Sequence, residues 1–298
     1  MILVVGATGT LGTEICHSLR GRQLNVRGLV RRTADPARLD SLRAAGVDLR
    51  EGDLKDVDSL ARACSGVDAV ISTASSTLSR QEGDSIETVD RLGQLSLIGA
   101  AAKAGVKHFT LVSIPHNTLR ESPLTRAKAE AERALVANGM EYTILAANYF
   151  MEIWLSPALG FDYPHHKVVM FGDGRAPISW VSYKDVAEFA LRSHLTPAAY
   201  NRILDVGGPQ DLSALDVVQI FEQASGAPFD RQFVPEEALL AQLSQANDPL
   251  SETFAKLQLE YAHGCVMDSS PILQIMPVDR KTVEAYAASV MGKTAAAV

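Results

Sequence analysis

Three glycines stand at a spacing that is typical of a turn that binds phosphate. Gly6, Gly9 and Gly12 directly follow the apolar run ILVV and open an amphipathic segment. In such a turn the first glycine allows a tight bend, the second lets the backbone approach a pyrophosphate, and the third permits close packing of helix on strand. The N–H groups that begin the helix favour an anion, and Thr8 and Thr10 add hydroxyl donors. The pattern predicts a dinucleotide site rather than an ordinary turn.

Two arginines stand where the second predicted strand ends. An acidic residue at this place would bind a ribose 2′-hydroxyl and select NAD. Instead the chain has Arg31 and Arg32, followed by Thr33, and this set suits a 2′-phosphate because arginine binds phosphate through paired, charge-assisted hydrogen bonds. We therefore expect NADP(H). The alternative is a solvent-exposed basic loop, to which Arg38 and Arg43 would also belong.

The next two predicted strands end in residues that suit the rest of a dinucleotide. Asp53 can accept a hydrogen bond from an adenine amino group while Leu54 packs on the ring. The alternative is that Asp53 caps the helical segment Asp56–Ala63. Small residues end the fourth strand and let the backbone lie beneath a ribose and nicotinamide at the carboxyl edge of the sheet. They are Thr73, Ala74 and Ser75.

Two side chains are the first candidates for donating a proton beside the nicotinamide. Lys128 suits this role because burial next to a cofactor lowers the pKa of a lysine towards neutrality. The alternative is a solvent-exposed lysine that pairs with Glu132, one helical turn further on. His116 follows the fifth predicted strand, where an imidazole can donate a proton to a carbonyl or quinone oxygen. A lone loop histidine is more often a bystander.

The residues after the sixth predicted strand are expected to form the wall of a substrate site beside the nicotinamide. They are Asn148, Tyr149 and Phe150. Tyr149 is a further candidate proton donor, and packing is the competing explanation for it. Loop aromatics would add an apolar roof or mark a dimer contact. They are Trp154, Phe161 and Tyr163.

These residues need a parallel sheet to bring them together. Short apolar runs alternate with helical patterns through the first half, which is typical of βαβ units. The predicted strands are Ile2–Val5, Asn25–Val30, Asp48–Glu51, Ala69–Thr73, Phe109–Ser113 and Tyr142–Ala146. The helical patterns lie around Leu11–Arg20, Ser59–Ala63, Val89–Ala104 and Thr125–Asn138, and glycines end the last two at Gly105 and Gly139.

The alternation becomes irregular after Phe150. The patterns there predict the strands Val168–Phe171 and Arg202–Val206 and the helices Lys184–His194 and Leu215–Ala224, followed by further helical segments. We divide the chain into a cofactor-binding domain, residues 1–155, and a smaller, mostly helical substrate-binding lobe, residues 156–298. Segments around 177–206 are expected to return to the main sheet.

Composition excludes several classes of protein. The net charge of −7 over 298 residues argues against nucleic acid as the main partner, because duplex binding needs a basic surface. Three scattered cysteines give neither a disulfide framework nor metal-ligand spacing, and adjacent histidines such as His165 and His166 rarely converge on one ion, so no metal is expected. With no signal peptide and no apolar run long enough to span a bilayer, we expect a soluble, cytoplasmic protein without a membrane partner.

Several of these motifs together resemble the NmrA-like branch of the atypical short-chain dehydrogenase/reductases. They are GATGTLG, LVRR, GDL and KAEAERAL with YTILAANYF. Relatives include isoflavone-type and triphenylmethane reductases, NAD(P)H:quinone reductases and catalytically silent NADP sensors. The resemblance is strong over the N-terminal half and continues more weakly through GDGRAPISWVSYKDVAEFAL to about Gly226. It implies an α/β fold, a doubly wound parallel Rossmann sheet that binds NADP(H).

The resemblance also assigns roles to individual residues. It implies that NADP(H) contacts the glycine turn, including Leu11, and the two arginines, with adenine near Asp53 and Leu54. Ordinary short-chain dehydrogenases carry a serine where Ser113 stands, and a tyrosine four residues before a lysine that corresponds to Lys128. That tyrosine, their usual general acid, is replaced here by Leu124. Several NmrA-like reductases also lack the tyrosine and keep the lysine, which holds the nicotinamide ribose or donates a proton.

The function expected from the sequence is an NADPH-dependent reductase that transfers hydride to a small quinone-like, enone or aromatic substrate. Lys128, with His116 or Tyr149, would supply the proton. The alternative is an NADP(H)-sensing regulatory protein without catalysis, which the missing tyrosine favours. A nucleotide-sugar epimerase also relies on that tyrosine and is a poor match. The partner is expected to be a small molecule, and the protein a monomer or homodimer.

Overall fold

A seven-stranded sheet forms the centre of the molecule. A computed structural model describes residues 1–79, 81–116 and 121–295. The strand order is β10-β6-β5-β4-β1-β2-β3, and every neighbouring pair is parallel. The strands are β1 Ile2–Val5, β2 Val26–Val30, β3 Asp48–Glu51, β4 Ala69–Ser72, β5 His108–Ser113, β6 Glu141–Ala147 and β10 Arg202–Val206.

Helices cover both faces of this sheet, which explains why strands such as ILVV are apolar throughout. One face packs against α1 Thr10–Gly21, α2 Pro36–Ala44, α7 Tyr183–Leu195 and α11 Ser270–Ile275. The other packs against α3 Val57–Cys64, α4 Leu92–Lys103 and α5 Pro123–Ala137. A π-helical turn, Ile86–Arg91, precedes α4, where the sequence pattern predicted one continuous helix from Val89. Its first turn is held by Ser85 and Thr88, whose side chains bond each other's backbone N–H groups.

The second half of the chain builds a separate apolar core beside the sheet. It contains α6 Met151–Trp154, α8 Ala214–Ser225, α9 Glu236–Gln245, α10 Pro249–His263 and α12 Val283–Ala295. Its small sheets are β12-β8-β7 and β11-β9, formed by β7 Phe161–Asp162, β8 Lys167–Phe171, β9 Pro177–Ser179, β11 Asp211–Ser213 and β12 Asp230–Val234. The sequence analysis missed β12, whose mostly exposed residues give no alternating pattern.

The segments around 177–206 are divided between the two parts of the molecule. Strand β10 pairs in parallel with β6 at the edge of the main sheet, and α7 packs against α1. Strand β9 instead pairs antiparallel with β11. The boundary near residue 155 stays a prediction. No helix in the described ranges is both long enough and apolar enough to cross a membrane.

Candidate functional site

A cavity of about 600 Å³ runs along the carboxyl edge of the parallel strands. At one end it is lined by the glycine turn between β1 and α1, and at the other by residues of α6 and α10. This volume falls within the range that is typical of small-molecule sites. The strand order reverses direction at β1, between β4 and β2, and the crevice at such a reversal is the usual ligand site of an open α/β sheet.

The glycine turn has the backbone geometry that its sequence pattern predicts. Gly6 has a positive φ of 84°, and a Cβ there would lie 2.7 Å from Oγ1 of Thr73. A Cβ on Gly12 would lie 2.1 Å from the carbonyl oxygen of Gly6, which no side chain tolerates. Gly9 is the N-cap residue of α1 and has no side chain with which to cap the helix. The first-turn N–H groups of a 12-residue helix are therefore left to an anion.

The structure separates the two predicted arginines. Arg31 lines the cavity, and its Nη1 donates a hydrogen bond to Asp84. The side chain of Arg32 is 85% exposed and pairs with Glu51 outside the cavity. A third arginine, Arg38 of α2, lines the cavity and donates from Nη1 to the carbonyl oxygen of Thr8 at 2.8 Å.

Asp84 is a cavity residue that the sequence analysis missed. Its side chain is 3% exposed and accepts hydrogen bonds from Lys55 and Ser79 as well as from Arg31. Burial by itself raises the pKa of this carboxyl, but the hydrogen bonds from these partners bring it below the usual value. Asp84 is therefore a carboxylate that holds Arg31 at the rim of the cavity.

The adenine end is formed by the loop after β3. Asp53 and Leu54 both line the cavity, and Oδ1 of Asp53 accepts from the N–H of Lys55 at 2.9 Å. Asp53 does not cap the following helix. That role belongs to Asp56, whose side chain accepts from the N–H groups of Asp58 and Ser59. The alternative of a capping Asp53 is therefore wrong, and Asp53 stays a candidate for adenine.

The strand ends beside the predicted nicotinamide position also line the cavity. They are Thr73, Ala74 and Ser75 after β4, Ser113 at the end of β5, and Asn148, Tyr149 and Phe150 after β6. The remaining members of the glycine turn that line the cavity are Thr8, Thr10 and Leu11. Three of the predicted site residues do not line it, namely Gly12, Arg32 and His116.

Lys128 lines the cavity and forms a buried ion pair with Asp90, not with Glu132. Its Nζ lies 3.6 Å from Oδ1 of Asp90, and the two side chains are 5% and 0% exposed. The other carboxylate oxygen of Asp90 accepts from the N–H and Oγ of Ser76 at 2.9 and 2.6 Å. Within the described part of the chain, Oδ1 has no hydrogen-bond partner. The alternative of a solvent-exposed Lys128 that pairs with Glu132 is therefore wrong, since α5 points its ammonium at a carboxylate of the π-helical turn.

His116 turns towards Glu132 instead of the cavity. Its Nε2 lies 2.8 Å from Oε2 of Glu132, and the hydroxyl of Ser113 donates to the other oxygen of the same carboxylate. The imidazole is 43% exposed, whereas the Glu132 side chain is 9% exposed. The hydrogen bond with Glu132 raises the pKa of His116 above its usual value. In this geometry the hydrogen bonds connect the imidazole to the cavity through Glu132 and Ser113.

Tyr149 forms the wall of the substrate half, but its hydroxyl is engaged. Its oxygen donates to the carbonyl of Leu257 at 2.9 Å, and burial raises the pKa of the phenol well above its usual value. The ring packs against Trp154, with ring centres 4.7 Å apart. Asn148 donates from Nδ2 to the carbonyl of Cys265 at 2.8 Å. These bonds join the end of β6 to the C-terminal segment.

Helix α10 completes the substrate half, which nothing in its sequence indicated. The cavity residues from this region are Phe254, Leu257, Glu260 and Cys265. Trp154 contributes to the apolar wall as expected, but Phe161 and Tyr163 do not line the cavity. Both pack against Phe221 in the C-terminal core, with ring centres 4.7 and 6.0 Å away. The alternative in which they form a roof is wrong because they pack in the C-terminal core, where Phe161 is buried and Tyr163 half-buried.

No three His, Cys, Asp or Glu side chains within residues 1–79, 81–116 and 121–295 form a cluster that could hold a metal ion. His165 contacts only the carboxylate of Asp162 among the hydrogen bonds of its ring, at 2.9 Å.

A glycine turn at the reversal of a doubly wound parallel sheet, with arginines beside it, defines a dinucleotide-binding protein of the Rossmann class. The chain belongs to the NmrA-like family, whose profile matches residues 1–287. The family and the fold class expected from the sequence are thus confirmed.

Named relatives extend over nearly the whole chain. The NAD(P)H azoreductase of Xenophilus azovorans is 30% identical over 279 residues, which is 91% of this chain and 92% of that protein. An isoflavone reductase homolog of Zea mays is 31% identical, covering 84% of this chain and 82% of that protein. In structure, the Citrobacter sp. triphenylmethane reductase complexed with NADP(H) superposes with a TM-score of 0.78 at 19% identity, covering 98% of this chain and 100% of that one. The Escherichia coli NADPH-dependent quinone oxidoreductase gives 0.77 at 22% identity, covering 97% and 99%.

Proposed function

We propose that this protein is an NADPH-dependent reductase that transfers hydride to a small quinone-like, enone or aromatic substrate. The observation that carries the proposal is one continuous cavity, which joins the glycine turn and Arg31 to an aromatic wall beside a buried Lys128–Asp90 pair. The enzyme class, an NADP-dependent oxidoreductase, and the cofactor NADP(H) agree with the sequence-based expectation and with the relatives, which are NAD(P)H-dependent reductases. The choice of substrate is the part proposed.

The residues of the cavity fit NADP(H) along its length. The N–H groups of the glycine turn and α1 would hold the pyrophosphate. The turn needs its glycines, because a Cβ on Gly6 would clash with Thr73 and one on Gly12 with the Gly6 carbonyl. Arg31, with Arg38 beside Thr8, would bind the 2′-phosphate. Asp53 and Leu54 would contact adenine. The small residues after β4 would lie under the nicotinamide ribose.

The remaining chemistry belongs to the chain itself. Bound NADPH supplies the hydride. Lys128 would hold the nicotinamide ribose or donate a proton to the reduced substrate, and Asp90 supplies its countercharge in a site almost closed to water. Trp154, Phe150 and Phe254 would orient a flat apolar substrate and exclude water from it. Tyr149 has its hydroxyl bonded to Leu257, so we assign it packing.

The alternative of a catalytically silent NADP(H) sensor is less well supported. The cavity continues beyond Lys128 into an aromatic-walled space, which a protein that only binds NADP(H) does not need. The same assay separates the two functions, as turnover excludes a purely sensory role. The expectation of a monomer or homodimer stays a prediction, as does the absence of a nucleic-acid partner.

The test is NADPH oxidation, followed by nicotinamide absorbance, with quinones, enones, and azo and triarylmethane dyes. The variant is Lys128→Ala, and the matched control is Lys103→Ala, an exposed lysine that ends α4. We expect turnover by the wild type and the control, and a rate about 100-fold lower in Lys128→Ala. Binding of NADPH without turnover of any of these substrates would favour the sensor. Equal rates in all three proteins would remove Lys128 from the mechanism.

A further inference from the structure

Ser113, Glu132 and His116 form a continuous chain of hydrogen bonds from the cavity wall to solvent. Ser113 ends β5 and lines the cavity, and its hydroxyl donates to Oε1 of Glu132. Oε2 of the same carboxylate lies 2.8 Å from Nε2 of His116. Glu132 is nearly closed to water, whereas the imidazole is 43% exposed. A buried acid thus has one oxygen towards the site and the other towards a group that exchanges protons with water.

The order of the three groups decides which chemistry they can support. In a nucleophilic triad the histidine lies between the hydroxyl and the acid, so that it can take the proton of the hydroxyl. Here the carboxylate lies in the middle, and among residues 1–79, 81–116 and 121–295 no histidine forms a hydrogen bond with Ser113. The hydroxyl therefore has no strong base and is a poor nucleophile. A chain of donor and acceptor groups in this order is suited to carrying a proton.

We propose that His116, Glu132 and Ser113 conduct a proton from solvent to the substrate during the reduction. This inference rests on the reductase function proposed above and assigns the proton to a path other than Lys128. Lys128 is then left to hold the cofactor, with its ammonium paired to Asp90. Leu124 stands in place of the usual tyrosine, and Ser113, which Glu132 reprotonates, takes over its role as proton donor.

The proton balance of the step is complete. Reduction of a C=C, C=O or N=N bond adds one hydride, which carries the electron pair, and one proton. The hydride leaves negative charge on the substrate, and the Ser113 hydroxyl donates its proton there. For this the hydroxyl turns from Glu132 to the substrate. The imidazolium of His116 protonates the Glu132 carboxylate, the resulting carboxylic acid returns a proton to Ser113, and His116 takes a proton from water. One solvent proton is consumed, and the three side chains return to their starting state.

The charges around His116 favour an imidazolium that is ready to donate. In the described part of the chain, Glu132 on α5 and Asp205 on β10 are the charged groups that act on it, and both raise its pKa, against the lowering effect of burial. Asp268 acts in turn on Asp205, whose own pKa is raised by burial. The raised pKa extends the range over which the imidazolium is present to higher pH, and the supply of protons falls as the pH rises through the pKa of His116.

The experiment compares Glu132→Gln and His116→Gln with a control on the same helix, Glu130→Gln, whose carboxylate pairs with Arg91 and does not line the cavity. We would measure kcat at saturating NADPH across pH in H2O and D2O, and NADPH affinity by fluorescence. Glu132→Gln should lower kcat about 100-fold while the Kd of NADPH changes less than about twofold. His116→Gln should lower kcat less, because water can enter beside the shorter, uncharged side chain and reach Glu132, and added imidazole should restore the rate. In both variants kcat should no longer fall at high pH through the titration of His116, whereas in the control it should.

A second measurement needs no turnover. The NMR titration of the His116 imidazole should give a pKa above the ordinary value of about 6.5 in the wild type, and one close to it in Glu132→Gln. If the pKa of His116 is the same in the two proteins, the hydrogen bond between His116 and Glu132 is wrong.

The kinetic outcomes decide the proton path. If kcat, its pH profile and the solvent isotope effect are the same in Glu132→Gln as in Glu130→Gln, the proton does not pass through Glu132, and the proposed reductase function is unaffected. Parallel losses of stability and NADPH affinity, with the pH profile unchanged, would make Glu132 only a support for α5. A wild type that reduces nothing would overturn both proposals.

Discussion

The cofactor half of the cavity and its substrate half are built in different ways. The cofactor half consists of strand ends and the turns that follow them, so that each group is positioned by residues adjacent to it in the chain. The substrate half joins the end of β6 and α6 to α10, which lies about a hundred residues further along the chain. The cofactor half of the cavity therefore depends on local backbone geometry, and the substrate half on side-chain packing between distant segments.

The largest expected effect tests the backbone of the cofactor half. In Gly12→Ala the new Cβ would meet the Gly6 carbonyl at 2.1 Å, so the turn must shift. We expect a loss of about 1–3 kcal/mol in the free energy of unfolding, and a Kd of NADPH raised about 100-fold. Thermal denaturation and fluorescence titration measure both. Gly99→Ala is the control, because a Cβ there meets nothing within 4 Å. Equal NADPH affinity in the two variants would mean that the turn does not bind the pyrophosphate.

The next effect separates two neighbouring arginines. Arg31→Ala removes a charged donor from the cavity, which is worth about 1.5–3 kcal/mol, or roughly 10–100-fold in the Kd of NADPH. The Kd of NADH should change far less, since that cofactor has no 2′-phosphate. Arg32→Ala should have almost no effect, because its side chain is 85% exposed. The result contradicting this assignment is a larger loss of NADPH affinity in Arg32→Ala than in Arg31→Ala.

A smaller effect is expected in the substrate half. Trp154→Ala removes an aromatic wall that packs on Tyr149 and Tyr261. We expect the KM for an aromatic substrate to rise about tenfold, which corresponds to the roughly 1.4 kcal/mol of one aromatic contact, with the Kd of NADPH unchanged. Phe233→Ala, at an exposed aromatic, serves as the control. If NADPH affinity fell as much as the affinity for substrate, the two halves would not be separable.

The smallest effect is expected at His108, which begins β5 at the amino ends of the parallel strands, away from both halves of the cavity. Burial and the neighbouring His194 lower the pKa of His108 to about 4. The unfolded chain binds this proton at about pH 6.5 and the folded chain does not, so stability is complete above that pH and decreases as the pH falls towards 4. Between pH 7 and pH 6 the loss is less than about 1 kcal/mol. Urea unfolding at both pH values would measure it, and His108→Gln should reduce the dependence without changing NADPH affinity.

The sequence by itself determined the local features of this protein. The glycine turn, the apolar parallel strands and the glycines that follow α4 and α5 were predictable, because each depends on residues a few positions apart. The preference for NADP(H) followed from GATGTLG and LVRR, and the family from these motifs together with GDL and KAEAERAL with YTILAANYF. Strand ends after β4, β5 and β6 were assigned to the site because parallel strands bring their carboxyl ends to one edge.

The tertiary structure alone decided which partners the functional side chains have. The turn after β2 directed Arg31 into the cavity and Arg32 out of it. The phase of α5 placed Lys128 against Asp90, while Glu132 joined Ser113 to His116. Packing of α10 closed the substrate half and engaged the Tyr149 hydroxyl. These contacts join segments far apart in the chain, and no residue spacing within a single element specifies them.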